Sequence, residues 1–164
     1  MTIKLDTTPE KLFVIGYIGS DRVSVGEEIA NSLGYAFVIL DDLIEEKDGR
    51  SIKKIIMSMG EHEYRNKEYD ILETYSKKNG FVMVCGDGIV LDDMCVAILK
   101  DNPTLFVDEP LALLWSRAEK DQNPLYSFLE NPSNSLVHEN FNALYQIRLP
   151  LYQICSTVKM EEKK

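Results

Sequence analysis

The sequence predicts an α/β fold, a three-layer, doubly wound parallel sheet of about five strands flanked by helices. Three observations carry this. Short runs that are apolar throughout recur along the chain, helical patterns lie between them, and glycine or aspartate ends each main run. Uninterrupted apolar runs suit strands covered on both faces, the condition inside a parallel sheet. Strands alternating with helices imply βαβ crossovers.

Residues 12–15, ended by Gly16, form the first run, and 36–40, ended by Asp41, the second. Residues 81–85, ended by Gly86, and 105–107, ended by Asp108, follow, with 156–160 a weaker fifth candidate. After the first run, Val25, Ile29 and Leu33 recur at helical spacing, with Glu27, Glu28 and Asn31 facing out. Residues 52–59 and 64–75 read as a longer helical region, and 91–99 as the helix after the third run. Residues 111–118 follow the fourth run, with Pro110 favourably placed at the start. Residues 136–155 read as a last helix, bent near Pro150. Only 120–134, rich in Asn, Pro and Ser, breaks the pattern, and a loop of that length reads as a lid.

The chain has 164 residues, which suits a single domain spanning 1–164. With 27 acidic and 18 basic side chains, its formal charge of −9 excludes a nucleic-acid binder and disfavours an anionic membrane surface. An acidic protein that binds an anionic ligand must gather its few basic groups in one place. No segment approaches the ~20 apolar residues of a membrane span. Residues 1–10 are polar, without a secretory core. Cys85, Cys95 and Cys155 are widely spaced and include no C-x-x-C, so no zinc or redox site is expected, and buried, reduced thiols in a cytoplasmic protein are. His62 and His138 read as surface or helix residues rather than catalysts.

Ligands of such sheets bind outside the carboxyl ends of the strands. The residues there are 16–24, Asp41 and Asp42, Gly86-Asp87-Gly88, and Asp108. The turn of residues 16–26 sits where a phosphate-binding loop, G-x-x-x-x-G-K-[ST], would open a helix. Gly16 begins it correctly, but Asp21, Arg22 and Val23 replace its second glycine, lysine and Ser/Thr.

The chain as a whole resembles the shikimate kinases, a branch of the P-loop nucleoside monophosphate kinase fold. The family's G-[FY]-M-G-S-G-K-[ST]-T-V-G leaves Gly16, Gly19, Ser20, Val25 and Gly26 here. Its L-G-x-x-F, D-x-D and L-I-E become Leu33-Gly34-Tyr35-Ala36-Phe37, Ile39-Leu40-Asp41 and Leu43-Ile44-Glu45. G-x-S-I matches Gly49-Arg50-Ser51-Ile52, and G-E-x-x-F-R-x-x-E matches Gly60-Glu61-His62-Glu63-Tyr64-Arg65-Asn66-Lys67-Glu68. G-G-G-I-V-L becomes Gly86-Asp87-Gly88-Ile89-Val90-Leu91, and R-x-P-L-Y matches Arg148-Leu149-Pro150-Leu151-Tyr152.

The resemblance implies that Arg65 and Arg148 grip a ligand carboxylate, for which guanidinium forks are suited. It implies that Asp41 holds ring hydroxyls and orients or deprotonates the attacking one, that Glu68 braces the arginines, and that Gly86 and Gly88 bring backbone close to substrate. Asp87 is placed to crowd or repel a carboxylate. The nucleotide side departs further. Asp21 puts a carboxylate beside the polyphosphate position, and each facing charge costs roughly 3 kcal/mol at ~5 Å and an effective dielectric near 20. Arg22 keeps the lysine's charge, Val23 cannot ligate Mg²⁺, and Ile39 replaces the metal-organising aspartate. Ser24 falls one residue late. In the lid, Asn123 replaces an arginine that would stabilise the transferring phosphoryl group.

Three functional expectations follow. The first is a protein with weak or absent phosphoryl transfer that binds shikimate or a similar hydroxylated carboxylate, with no cofactor. The second is an active kinase using ATP and Mg²⁺, with Arg22 as the catalytic cation and Ser24 or Asp42 at the metal. The third is an interaction module with a protein partner or a second copy.

Overall fold

The computed structural model describes residues 3–120 and 135–161. Four parallel strands, β1 (Leu12–Ile15), β2 (Ala36–Ile39), β3 (Phe81–Val84) and β4 (Thr104–Phe106), form one sheet in the order β2-β3-β1-β4. The helices are α1 (Arg22–Leu33), α2 (Leu40–Asp48), α3 (Ile52–Met59), α4 (Glu61–Ser76), α5 (Asp93–Lys100), α6 (Leu111–Ala118) and α7 (Ser135–Cys155), with a 3₁₀ turn at Ile89–Leu91.

The three-layer expectation holds, and the strand period of two shows why. Phe13 and Ile15 of β1 enter a large core with residues of α2 to α7, whereas Leu12 and Val14 enter a smaller one with Ile29 and Ala30 of α1. The inner strands β1 and β3 are buried throughout, as their unbroken apolar runs require. Strand β2 is an edge, with Ala36 exposed and the rest half-buried. The cysteines are free and buried. No helix among the described residues is long and apolar enough to cross a membrane.

Two elements differ from expectation. Residues 156–160 are not a fifth strand: Val158 makes a single parallel bridge to Leu105, and Met160 an antiparallel one to Leu5. The Thr104 carbonyl takes both the Thr157 and the Val158 amide, while its own amide donates to the Thr157 hydroxyl at 2.9 Å, so the regular ladder does not continue. The second run ends one residue early, because Leu40 opens α2. Asp41 and Asp42 sit in that helix's first turn, where carboxylates complement the exposed amides. Gly49 closes it in the left-handed region, at φ 86°.

Helix α1 packs directly on the sheet at Gly26. A Cβ there would lie 2.8 Å from Val84 Cγ2 and 3.3 Å from Phe37 Cε2. Gly26→Ala is therefore expected to lower stability by about 1–3 kcal/mol through overpacking. Urea denaturation checks this, with an unchanged midpoint as the contrary result.

Candidate functional site

The strand order reverses at β1, so the crevice between the carboxyl ends of β1 and β3 is the switch point of the sheet. Two turns meet there, one after β1 beginning at Gly16 and one after β3 formed by Gly86-Asp87-Gly88.

The first turn is pressed from outside by α6. Gly19 has φ 86°, and a Cβ there would lie 2.3 Å from the Leu114 carbonyl oxygen, so only glycine fits. The Arg22 guanidinium, expected to face a phosphate, turns inward: its Nη1 donates to the Gly16 carbonyl at 2.8 Å and the Cys85 carbonyl at 3.2 Å. No ion pair joins it to Asp21 among the described residues. The Asp21 amide donates to the Glu109 carboxylate at 2.7 Å. Arg117 fixes that carboxylate at 2.8 Å and also donates to the Gly19 carbonyl at 3.1 Å. An internal anion thus sits on an amide that opens α1, the kind of position that attracts phosphate. The Ser20 hydroxyl is buried and has no partner among the described residues. Val23 and Ser24 are exposed.

The second turn carries the other predicted residues. Tyr64 donates its hydroxyl to Asp41 Oδ1 at 2.6 Å. Arg65, one residue along α4, donates to Glu68 at 2.7 Å and to Glu61 at 2.9 Å. Glu68 is only 1% exposed, so this is a buried clamp rather than a surface pair. Gly88 is required by that clamp, since a Cβ there would lie 2.3 Å from Arg65 Nη2. A Cβ on Gly86 would lie 3.2 Å from Glu68 Oε2, 3.3 Å from the Tyr64 hydroxyl and 3.9 Å from Asp41 Oδ1, so three oxygens converge on this backbone. Arg148, from α7, donates to Asp87 Oδ2 at 2.9 Å, and both side chains are buried. Tyr152, one helical turn on, donates to the Asp87 carbonyl at 2.5 Å.

Burial raises the Asp41 carboxyl; the Tyr64 hydrogen bond opposes this, Asp87 adds to it, and Arg22 and Arg65 pull back. Burial likewise pushes Glu68 up to about 7, against the pull of Arg65. Arg65 is held above its ordinary range: burial alone would lower it, but Glu68 and Glu61 outweigh that. The two partners are shifted in ways that favour opposite charge states of Glu68. Glu68 is the more completely enclosed of the two, so the cost of burying its charge governs its titration.

The structure therefore brings together Asp41, Arg65, Glu68, Gly86, Gly88 and Arg148 at the ends of β2 and β3. Glu68 holds only Arg65 among the described residues, not both arginines. The glycines admit this chain's own Arg65 and carboxylates. Asn123, the lid position, lies outside the described residues. Glu109, Arg117 and Tyr64 escaped sequence reasoning. Glu109 directly follows the strand-end Asp108, which is the one signal that could have found it. Clefts of about 270 and 410 Å³ open instead between α2 and α4, where Asp70 and Ile71 line both. They hold none of the functional side chains, so convergent charge rather than cavity size locates the site.

The family model described as Shikimate kinase matches residues 19–164. The chain is 36% identical over 125 residues to a shikimate kinase of Synechococcus elongatus, covering 76% of this chain and 66% of that one. It is 30% identical over 161 residues to a shikimate kinase of Prosthecochloris aestuarii, covering 95% and 82%. Among solved structures, shikimate kinase from Acinetobacter baumannii in complex with shikimate superposes with a TM-score of 0.83 at 26% identity, covering 97% of this chain and 86% of that one. That from Aquifex aeolicus gives 0.75 at 25% identity, covering 94% and 88%.

Because Glu68 holds its proton up to about 7 in the native state, against 4.5 ordinarily, the native state binds more protons than the unfolded chain between these values. Stability from this group is therefore greatest at low pH and falls as pH rises from about 4.5 to about 7, by a figure on the order of 3 kcal/mol. Glu68→Gln should flatten that segment of the profile, measured by urea unfolding across the window. An equally steep fall in the variant would contradict it.

Proposed function

The chain belongs to the shikimate kinase family, and from that membership we propose that it holds a shikimate-type hydroxylated ring while phosphoryl transfer is weak or absent. The ring lies against Asp41, with Arg65 and Arg148 on its flanks. The single observation that carries the reading is the fate of Arg22. Its Nη1 is turned inward to the Gly16 and Cys85 carbonyls, while Glu109 takes the neighbouring loop amide.

The residues present do not fit Mg·ATP. Val23 and Ile39 offer no oxygen where a metal would be organised, and Asp21 and Glu109 place negative charge where polyphosphate would approach. Among the described residues no three acidic, histidine or cysteine side chains converge as a metal cage. The ring side is better kept. Asp41 is poised by Tyr64, and its burial and raised pKa suit a group that accepts hydrogen bonds from hydroxyls. The Acinetobacter neighbour is a complex with shikimate, which supports that ligand class here. The buried free thiols support a cytoplasmic location.

A coupled ADP-release assay at saturating shikimate and Mg·ATP, run beside the Prosthecochloris relative, tests this. Turnover at least about 10³-fold below that relative is expected, the scale of losing charge stabilisation at a transferring phosphoryl group. Replacing Asp21, Arg22 and Val23 with Gly, Lys and Ser should strengthen Mg·ATP binding in calorimetry. Turnover within about tenfold of the relative would establish an active kinase with an atypical loop instead.

A further inference from the structure

The turn after β3 puts a carboxylate inside the candidate site. Asp87 is 5% exposed, its Oδ2 accepts from Arg148 at 2.9 Å, and its backbone carbonyl is pinned by Tyr152. The neighbouring guanidiniums are engaged without any ligand: Arg65 by Glu68 and Glu61, Arg148 by Asp87, and Arg22 by two backbone carbonyls, with Asp41 a further carboxylate beside them. What this cluster leaves open is hydrogen-bonding capacity rather than charge. Arg65 Nε, Arg148 Nε and Glu68 Oε2 are all buried and have no partner among the described residues. These groups suit hydroxyls, which donate to a carboxylate oxygen and accept from a guanidinium N–H.

We propose that Asp87 is the site's resident carboxylate: it occupies Arg148 in place of a ligand carboxylate, so that the pocket prefers an uncharged polyhydroxylated ring to a hydroxylated carboxylate. A ligand bringing its own carboxylate adds a negative charge where Arg65 and Arg148 already face Glu68, Glu61 and Asp87. It must also take Arg148 from a partner that is covalently part of the turn and therefore always present. Asp87 cannot withdraw into water without dragging its backbone, which Tyr152 and the adjoining glycines hold against α7 and α4. A neutral ring meets the unpaired Nε and Oε2 atoms without breaking the pair.

This inference rests on the reading that the ring lies between Asp41 and Arg148, and the experiment separates the two. Shikimate and the primary alcohol made by reducing its carboxylate are titrated calorimetrically into the wild-type chain, Asp87→Gly and Asp87→Asn. Removing one member of a buried ion pair is destabilising, so Asp87→Asn, which keeps the shape and a hydrogen bond, guards against loss of fold, and thermal melts verify each variant. The wild-type chain is expected to bind the alcohol at least as tightly as shikimate. In a folded variant the affinity ratio should move toward shikimate by about fivefold or more, a small fraction of the effect of one facing charge. A wild-type preference for shikimate, or a smaller movement in both variants, overturns the role of Asp87 and leaves ring binding standing. If neither compound binds the wild-type chain, both readings fall.

Discussion

The parallel pairing of β1 with β3 governs the rest of the molecule's chemistry. It aligns Leu12 with Val82 and Val14 with Val84, and so delivers the two turns that follow side by side. Strands that end together also end in carbonyls that the ladder no longer satisfies, and buried carbonyls need donors. Arg22 supplies one to each strand end, bridging Gly16 and Cys85. The cation that opens α1 is a clasp between neighbouring strands, with its Nη1 directed at both carbonyls.

The same logic extends to the other arginines. Arg117 is occupied by Glu109, Arg65 by Glu68 and Glu61, and Arg148 by Asp87. An acidic chain with a charge of −9 has carboxylates to spare, and here they close the positive groups internally. Glu109 is the more consequential for nucleotide chemistry, because it combines an anion, a helix-opening amide and a tether to the Gly19 carbonyl in one contact. A phosphate would have to compete with a carboxylate already in hydrogen-bonding geometry.

Much of this was legible in the residues. The sheet followed from unbroken apolar runs, because β1 and β3 are enclosed on both faces and tolerate nothing polar. Arg65, Glu68, Asp41 and Arg148 were singled out because their order along the chain follows a known pattern, and the structure gathers them at one end of the sheet. Helix α2 was missed, since Leu40 and the aspartates after it were read as the end of a strand, although Gly49 marks a helix end nearby. The weaker fifth candidate meets β4 around Thr104, whose amide goes to the Thr157 hydroxyl where a strand carbonyl would stand, which periodicity does not register. Glu109, Arg117 and Tyr64 were passed over for a different reason: each matters through a partner on another element, 88, 98 and 23 residues away.

The Asp87–Arg148 pair is not explained by stability. Desolvating two charges costs about as much as their attraction returns, and an apolar pair of similar volume is often as stable or more so. What such a pair supplies is position. Arg148 comes from the last helix and Asp87 from the turn after β3, so the bond sets where α7 lies over the sheet's carboxyl end. Tyr152 repeats the connection one turn further along. On the opposite side of that turn, Gly88 lets Arg65 close in from α4. The turn is thus held from two helices by guanidiniums, and a carboxylate at its centre reconciles them. A glycine at position 87 would leave Arg148 buried and unpaired unless a ligand arrived to pair with it. With aspartate, Arg148 is paired without a ligand, and that pairing is the ground for the proposed preference for a neutral hydroxylated ring.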